Sequence, residues 1–345
     1  MALARWLIAA LSLIAAPATA SVDPVLVASL RDLAARDLRI ASVAYRLQTA
    51  SVAHCSDHMR LSGLIVQDAS QYRGDLRSAV ASVFGLRTLP TVISIVAGSA
   101  GDRAGLRAGD AIEAINGADF PEQDGAIHGE QADGERFAAI VDRLDDAFQK
   151  GEVHLRIRRS SETLQITMTG DPACRSDVQL DLGQTRNAHA DGRTISVTQG
   201  LLDFTRSDDE LAFAIGHELA HNILKHHDYL ESTRTSHGLF RGLGSNGRRL
   251  RETERQADYW GIYLVAWAGY DPHAAAIFWR RMVRTHSLTA LLSDGTHPGN
   301  GGRTRDLQCA ANRIDAARAA GRPLVPDFLA FDAQMSKETA SSSSC

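Results

Sequence analysis

Residues 214–227 read AIGHELAHNILKHH and hold four of the 13 histidines of the chain. His217 and His221 are four residues apart, and each helical residue turns by about 100°, so their imidazoles lie about 40° apart on one helix face. Both can therefore reach the same metal ion. Glu218, next to them, can accept a proton from a metal-bound water without being a ligand. This H-E-x-x-H pattern is typical of zinc peptidases and predicts one Zn²⁺ per chain.

The helix that carries this pattern has a clear start signal. Ser207 and Glu210 form a capping box directly before an apolar run. We therefore predict that the helix begins at Asp208.

The other two histidines of the stretch are not expected to bind the ion. His226 is nine residues after His217, which places it about 180° round a continuous helix and pointing away. His227 stands at the third-ligand position of the metzincin pattern, but that pattern needs a helix-breaking glycine where this chain has Leu224. A metzincin-type site that uses His227 stays open as a minor alternative.

The third protein ligand is predicted in RETERQADYWGIYL, residues 251–264. Glu254 and Asp258 are one helical turn apart, so the glutamate can bind zinc while the aspartate accepts the free N–H of a ligand histidine. Glu252 is the rival ligand, although only Gln256 follows it one turn later. A surface salt bridge is the alternative role for Glu254.

Three segments in this order resemble one family. ELAFAIGHELAHNILKH, ERQAD and THPGNGGR are similar to the HtpX/Oma-type metalloendopeptidases of peptidase family 48, which are gluzincins, and the resemblance covers about residues 183–315. It implies that His217, His221 and Glu254 bind zinc, that Glu218 is the catalytic acid and base, and that Asp258 supports a ligand.

The same resemblance implies further site residues. His297 matches a histidine of the family that helps to stabilise the oxyanion, and Arg303 matches a recurring structural or substrate-orienting arginine. NAHADGRTISVTQGLLDF, residues 187–204, is similar to the family's substrate-side edge strand. A substrate is accordingly expected to lie extended near Asn187 and Ala188.

A β-rich segment precedes this region. AGLRAGDAIEAING, residues 104–117, resembles part of a bacterial PDZ domain, and its Asn116-Gly117 pair predicts a tight hairpin turn. PDZ domains bind extended peptides beside a helix. The resemblance implies a carboxylate-binding loop at VFGLR, centred on Phe84, Gly85 and Leu86. A PDZ-like fold that serves only as a spacer stays open.

We therefore predict an α+β protein in which a mainly helical gluzincin-type metalloprotease domain, with a small edge-strand sheet, accompanies a PDZ-like β-rich domain. The predicted boundaries are a signal peptide at 1–20, a helical segment at 21–81, the PDZ-like domain at 82–172, the peptidase domain at 173–330 and a disordered polar tail at 331–345. Residues 228–249 separate the two ligand helices and are a candidate lid.

The N-terminal segment MALARWLIAALSLIAAPATA predicts export. Arg5, a short apolar run and a small-residue site ending at Ala20 are typical of a cleavable signal peptide, and the apolar run is shorter than a membrane span. We expect a periplasmic or secreted chain with no membrane span after cleavage. Its four cysteines allow three pairings, among which Cys55–Cys174 is favoured because the two bracket the β-rich segment.

Composition limits the class of partner. The formal net charge is −4, and the basic cluster at 248–255 has interleaved acids, so a nucleic-acid partner is not expected. The predicted function is metalloendopeptidase cleavage of envelope or misfolded proteins, with protein or peptide substrates that the PDZ-like domain recruits or regulates. The alternative is a PDZ-based chaperone or binding protein whose zinc site is inactive or secondary.

Overall fold

A computed structural model of the chain describes residues 22–122, 132–233, 244–285 and 302–338. The helices of these ranges are α1 Pro24–Ala50, α2 Gly74–Phe84, α3 Ala100–Arg103, α4 Gly134–Lys150, α5 Gln199–Phe204, α6 Asp208–Ile223, α7 His226–Ser232, α8 Gly244–Trp267, α9 Ala274–Thr285, α10 Arg303–Ala319 and α11 Phe328–Glu338. The strands are β1 His58–Leu61, β2 Leu64–Gln67, β3 Thr91–Ile95, β4 Ala111–Ile115, β5 Ala118–Asp119, β6 Glu152–Arg159, β7 Glu162–Thr169, β8 Asp171–Cys174, β9 Asp177–Asp181, β10 Ala188–Ala190 and β11 Thr194–Thr198. The predicted combination of helices with antiparallel sheets is confirmed. Among the described helices, none combines the length and the apolar character that crossing a bilayer requires.

Helix α6 is the centre of the helical core. It begins at Asp208, as predicted, and the Ser207 hydroxyl accepts a hydrogen bond from the Glu210 N–H. Twelve of its 16 residues are buried, so it is surrounded on all sides rather than on one face. Its neighbours α1, α8 and α9 contribute to the same apolar cluster. A central helix of this kind holds its side chains in fixed positions.

Two glycines allow α6 and α8 to cross at close range. A Cβ atom at Gly261 would lie 3.0 Å from the backbone nitrogen of His217, and one at Gly216 would lie 3.2 Å from the carbonyl oxygen of Gly261. Because backbone atoms cannot move aside as a flexible side chain can, any larger residue would push the helices apart. The crossing lies directly beside His217.

A three-stranded sheet lies next to α6. Its order is β10-β11-β9, with β11 antiparallel to β10 and parallel to β9. The Gly192 N–H, in the turn between β10 and β11, donates to the Asn222 side-chain oxygen over 3.0 Å. This bond fastens the hairpin to α6 one residue after His221, so β10 forms an edge of the sheet close to the ligand helix.

The β-rich unit is a second sheet of order β2-β3-β4-β6-β7, with β5 paired to β4. Helix α4 packs its buried residues Ile140, Leu144 and Phe148 into the core of this sheet. The predicted Asn116-Gly117 turn joins β4 and β5, with positive φ of 50° and 78° at the two residues. The predicted start at residue 82 is too late, because β2 belongs to this sheet. Four-residue strands leave too short an alternating pattern to detect between two helices.

The predicted carboxylate-binding loop is also misplaced. Phe84 ends α2, Gly85 caps that helix with φ of 73°, and Leu86 is a core residue with 1% exposure. The strand that follows, β3, is paired on both sides. A peptide cannot add to a strand without a free edge. Among the described strands of this sheet, β2 lies at one edge, and it follows Gly63, whose φ is 74°.

The favoured Cys55–Cys174 disulfide is present, whereas part of the predicted disordered tail is helical. Cys55 and Cys174 are bonded, as favoured, and they join the segment after α1 to the strand by which the chain leaves the β-rich unit. The tail is not disordered from residue 331, because α11 buries Phe331 and Met335 in the helical core. The spacing of Phe328, Phe331 and Met335 is helical, but the polar residues that follow them led to the prediction of disorder. Residues 234–243 of the candidate lid and 339–345 of the tail lie outside the described residues.

Candidate metal centre

His217 and His221 lie on one face of α6 with their Nε2 atoms facing each other at 3.2 Å. His217 is 4% exposed, while His221 is half-buried. Two nitrogen atoms at this distance point toward a shared position rather than toward separate partners. The helical spacing thus produces the predicted pair.

Glu254 of α8 completes the cluster. One of its carboxylate oxygens lies 3.5 Å from Nε2 of His217 and the other lies 3.5 Å from Nε2 of His221. These three residues are a group whose ligand atoms all lie within 4.8 Å of one another. The rival residue Glu252 is exposed and accepts a hydrogen bond from Gln256. The structure therefore brings Glu254, and not Glu252, to the histidine pair.

The dimensions of this cluster match those of a tetrahedral zinc site. Zinc binds nitrogen and carboxylate oxygen at about 2.0–2.2 Å, which puts neighbouring ligand atoms about 3.3–3.6 Å apart in a tetrahedron. The two Nε2 atoms are 3.2 Å apart, and each lies 3.5 Å from a different oxygen of the Glu254 carboxylate, so a small rotation of that carboxylate brings one oxygen to both nitrogens.

Charge favours a divalent cation at the same place. Among the described residues of the centre, Glu218, Glu254 and Asp258 are buried together with one guanidinium, that of Arg303. With both ligand histidines neutral, three carboxylates and one guanidinium leave a formal charge of −2. Buried charge of one sign is costly unless it is compensated, and a divalent cation would balance this group.

Asp258 holds the opposite side of His217. Its Oδ1 lies 2.9 Å from Nδ1 of the histidine and accepts a 2.6 Å hydrogen bond from Nη2 of Arg303. Burial disfavours the carboxylate, but Arg303 and His217 outweigh it and hold the pKa of Asp258 below its ordinary value. Burial likewise opposes the charged form of His217, but Asp258 and Glu254 raise the pKa of His217 to about 10. Asp258 thus stands in the supporting position predicted for it.

Arg303 lies on the side of His217 that faces away from the other two ligands. Its guanidinium is on the Nδ1 side of His217 and stacks 3.6 Å over the Trp279 ring, and the side chain is 7% exposed. It therefore orients Asp258, and its burial does not favour the predicted substrate contact.

His226 does not point away from the centre, as predicted from a continuous helix. Helix α6 ends at Ile223, and Lys225 adopts a left-handed conformation with φ of 54° before α7 begins. The reversal brings Nδ1 of His226 to 3.0 Å from Nδ1 of His221. Burial lowers the pKa of His226. His227 is 42% exposed and lies 3.8 Å from Glu231, which argues against the metzincin alternative.

Of the remaining predicted site residues, the structure describes Glu218, Asn187 and Ala188. Glu218 is 4% exposed on α6 beside the ligand pair. Ala188 begins the edge strand β10, and the Asn187 N–H just before it donates to the Thr198 hydroxyl. His297 lies outside the described residues, and its role stays a prediction.

Sequence reasoning missed His226, its partner Gln256, and the glycine pair at the crossing. Gln256 was noted only as the residue one turn after Glu252, yet its Oε1 lies 3.0 Å from Nε2 of His226. The signal for Gly216 and Gly261 was two glycines inside apolar helices, which is typical of close helix packing.

Comparison with known proteins gives one family. Residues 149–240 match the model of peptidase family M48. The chain is 30% identical over 137 residues to the mitochondrial metalloendopeptidase OMA1 of Schizosaccharomyces pombe, with 34% of this chain and 41% of that protein covered. It is 31% identical over 163 residues to the protein of the same name from Arabidopsis thaliana, with 39% of this chain and 32% of that protein covered. The matches thus span less than half the length of either relative.

One solved structure is similar to part of the chain. It is the HtrA3 PDZ domain bound to a phage-derived ligand, and the comparison covers 33% of this chain and 88% of that domain at 14% identity, with a TM-score of 0.24.

The prediction of a periplasmic or secreted location is contradicted by the two relatives, since both are mitochondrial metalloendopeptidases. An N-terminus with a basic residue and a short apolar run is shared by several kinds of targeting segment, so this pattern did not identify a compartment. Residues 1–21 lie outside the described residues.

The family model, the two relatives and the His217–His221–Glu254 cluster agree with the motifs of the sequence and support a metalloprotease similar to peptidase family M48.

Proposed function

We propose that this chain is a zinc-dependent metalloendopeptidase of the gluzincin type that cleaves extended, unfolded stretches of protein. The observation that carries the proposal is the buried cluster of His217, His221 and Glu254. The two Nε2 atoms are 3.2 Å apart, each lies 3.5 Å from an oxygen of Glu254, and a buried Glu218 stands beside them.

The chemistry divides between the ion and the side chains. A zinc ion bound there would lower the pKa of a water molecule and polarise the scissile carbonyl. Glu218 takes the proton from the attacking water and delivers it to the leaving amine, as a general base and then a general acid. Asp258 fixes the orientation of His217. His297 stays a predicted oxyanion-stabilising residue.

The edge strand β10 supports an extended substrate. In the described part of the chain it pairs with β11 alone, so its second edge can hydrogen-bond to a substrate backbone. Its fastening to α6 through Gly192 and Asn222 keeps this edge close to the ligand helix. Only a segment without its own secondary structure can pair in this way, which favours misfolded proteins and loops as substrates.

The experiment that tests the activity is the substitution Glu218→Gln. Cleavage of carboxymethylated casein should fall by about 10²–10⁴-fold while bound zinc stays at one per chain, because general acid–base catalysis contributes about this much. Glu231→Gln removes an exposed carboxylate from α7, outside the ligand cluster, and serves as the matched control, with activity unchanged. Equal activity of the Glu218→Gln variant and the parent would refute the proposed role.

We further propose that the β-rich unit recruits the substrate. A cavity of about 340 Å³ runs along β2 and is bounded by residues of α1, α4 and β9. Its lining includes Ala41, Tyr45, Leu64, Val66, Val141, Leu144, Phe148 and Val178. We call it the β2 groove. β2 pairs only with β3 among the described strands, so an extended peptide can add beside it.

A charge placed in the β2 groove tests recruitment. Val141→Lys introduces a cation on the half-buried groove face of α4. The KM for carboxymethylated casein should rise several-fold with kcat unchanged, while an eight-residue peptide, too short to span both sites, should be cleaved as before. Ala139→Lys, on the exposed face of the same helix, is the control. An equal effect on both substrates, or none, would contradict recruitment.

The alternative is a binding protein whose metal site is secondary, and the β2 groove is the feature that favours it. The Glu218→Gln variant discriminates between the two functions. If that variant still suppresses aggregation of unfolded casein while cleavage is lost, binding is a function in its own right.

A further inference from the structure

We infer that His226 is a positioning residue for the ligand His221, which it holds through a hydrogen bond between their Nδ1 atoms, with Gln256 fixing its own orientation. This inference rests on the proposed metal site, and it assigns to a neutral imidazole the role that Asp258 has for His217.

The backbone places His226 where this contact is possible. A continuous helix would carry the residue to the far side of α6, but the left-handed Lys225 reverses the chain after Ile223. As a result, the His226 ring meets the His221 ring edge-on, with centroids 4.9 Å apart and an interplanar angle of 78°. With 3% exposure, His226 has little access to water as a competing partner.

The donors and acceptors have a single consistent direction. Nε2 of Gln256 donates to Glu252 over 3.4 Å, so its Oε1 is the atom that faces His226. An amide oxygen can only accept, and therefore Nε2 of His226 must carry the proton. Nδ1 of a neutral His226 is then an acceptor for the Nδ1–H of His221. That leaves the lone pair of His221 on Nε2, the atom that faces His217 and Glu254.

A neutral partner suits the charge of the centre. Asp258 already supports His217, and the buried carboxylates and guanidinium sum to a formal charge of −2, which one divalent cation balances. A second supporting carboxylate at His226 would leave an uncompensated negative charge in the interior. The imidazole fixes the tautomer of His221 without adding that charge.

Metal affinity tests the inference. His226→Phe keeps a ring of similar size but removes the acceptor, and the zinc dissociation constant, measured by competition with a chromophoric chelator, should rise about 10–100-fold. His226→Asn should recover most of the affinity, because its side-chain oxygen can take the position of Nδ1. His227→Phe alters the exposed neighbour and should bind zinc as the parent does.

A second readout separates positioning from packing. In the cobalt-substituted protein, the visible d–d absorption should change in His226→Phe and return toward that of the parent in His226→Asn. Gln256→Leu should weaken zinc binding in the same direction, and it carries the test if His226→Phe does not fold. Parent-like affinity in both His226→Phe and Gln256→Leu, or equal losses in the Phe and Asn variants, would overturn the inference. Failure of the parent itself to bind zinc would instead refute the proposed function.

Discussion

The metal centre and the β2 groove differ in how deeply their residues are buried. The centre lies between two helices that cross at a glycine pair, and its carboxylates and the guanidinium are all buried. The groove lies along an edge strand whose four residues are all half-buried, and it carries the charged residues Asp145 and Asp177 in its lining. The charged side chains of the centre are buried, whereas the groove is partly exposed to solvent.

This difference reflects what each region must do. Ligand atoms must be held to within a few tenths of an ångström for metal binding, which requires packed helices and a partner for each remaining ring nitrogen. Recognition of extended peptides requires a free strand edge and room for varied side chains. The Cys55–Cys174 disulfide brackets the β-rich unit along the chain, and both cysteines pack with the helical core. Disturbing each part separately should therefore produce different signatures.

The largest effect is expected from removing that disulfide. The two cysteines are separated by 119 residues, and closing a loop of this size stabilises a fold by about 5 kcal/mol. The double variant Cys55→Ala and Cys174→Ala should lose about this much in the free energy of unfolding by urea, with the β-rich unit unfolding before the helical core. Ser56→Ala, at an exposed neighbour, is the control. A single transition at the parent midpoint would show that the regions do not depend on this link.

A smaller effect, confined to the centre, is expected from Gly261→Ala. The added Cβ would lie 3.0 Å from backbone of α6, so the helices must separate at a cost of about 1–3 kcal/mol. Since Glu254 is on one helix and His217 on the other, zinc affinity should fall as well. Gly134→Ala, where a Cβ meets nothing within 4 Å, should change neither quantity. Unchanged zinc affinity in Gly261→Ala would mean that the crossing does not set the ligand geometry.

The smallest effect on stability is expected from changing Asp145, which lines the β2 groove. Burial, together with Asp177 and Asp142, raises the pKa of Asp145 to about 6. The unfolded chain then ionises first, so stability declines as pH rises from about 4 to 6 and stays lower above that range. Because the side chain is partly in water, Asp145→Asn should stabilise the protein by only about 1 kcal/mol at pH 7 and by nothing near pH 3.5. Thermal melts at the two pH values measure this, with Glu152→Gln, at an exposed carboxylate that does not act on Asp145, as control. A gain at both pH values would refute the assignment to Asp145.

Local patterns predicted the features whose cause is local. The start of α6, the shared face of His217 and His221, and the turn at Asn116-Gly117 each depend on residues within one helical turn or hairpin. Glu254 was found because Asp258 follows it one turn later, in the spacing that a ligand and a supporting carboxylate need.

The misses have non-local causes. His226 was assigned to the far side of the helix because no residue of the motif predicts the left-handed backbone conformation of Lys225. The peptide-binding loop was placed at Phe84–Leu86 because a glycine after an apolar run looks the same at a helix end and before an edge strand. The α11 residues Phe331 and Met335 are ordered by the helices on which they pack, and propensity in a polar tail does not record that contact.

By itself, the sequence determined the residue types of the metal site and the helix face from which two of them project, because a helix repeats every 3.6 residues whatever surrounds it. Tertiary structure alone decided that Glu254 meets this face across two glycines and that His226 turns back toward His221. It also decided that, among the described strands, β2 rather than β3 lies at an edge of its sheet. Those outcomes depend on contacts between residues far apart in the chain, whose energies arise only when the elements pack.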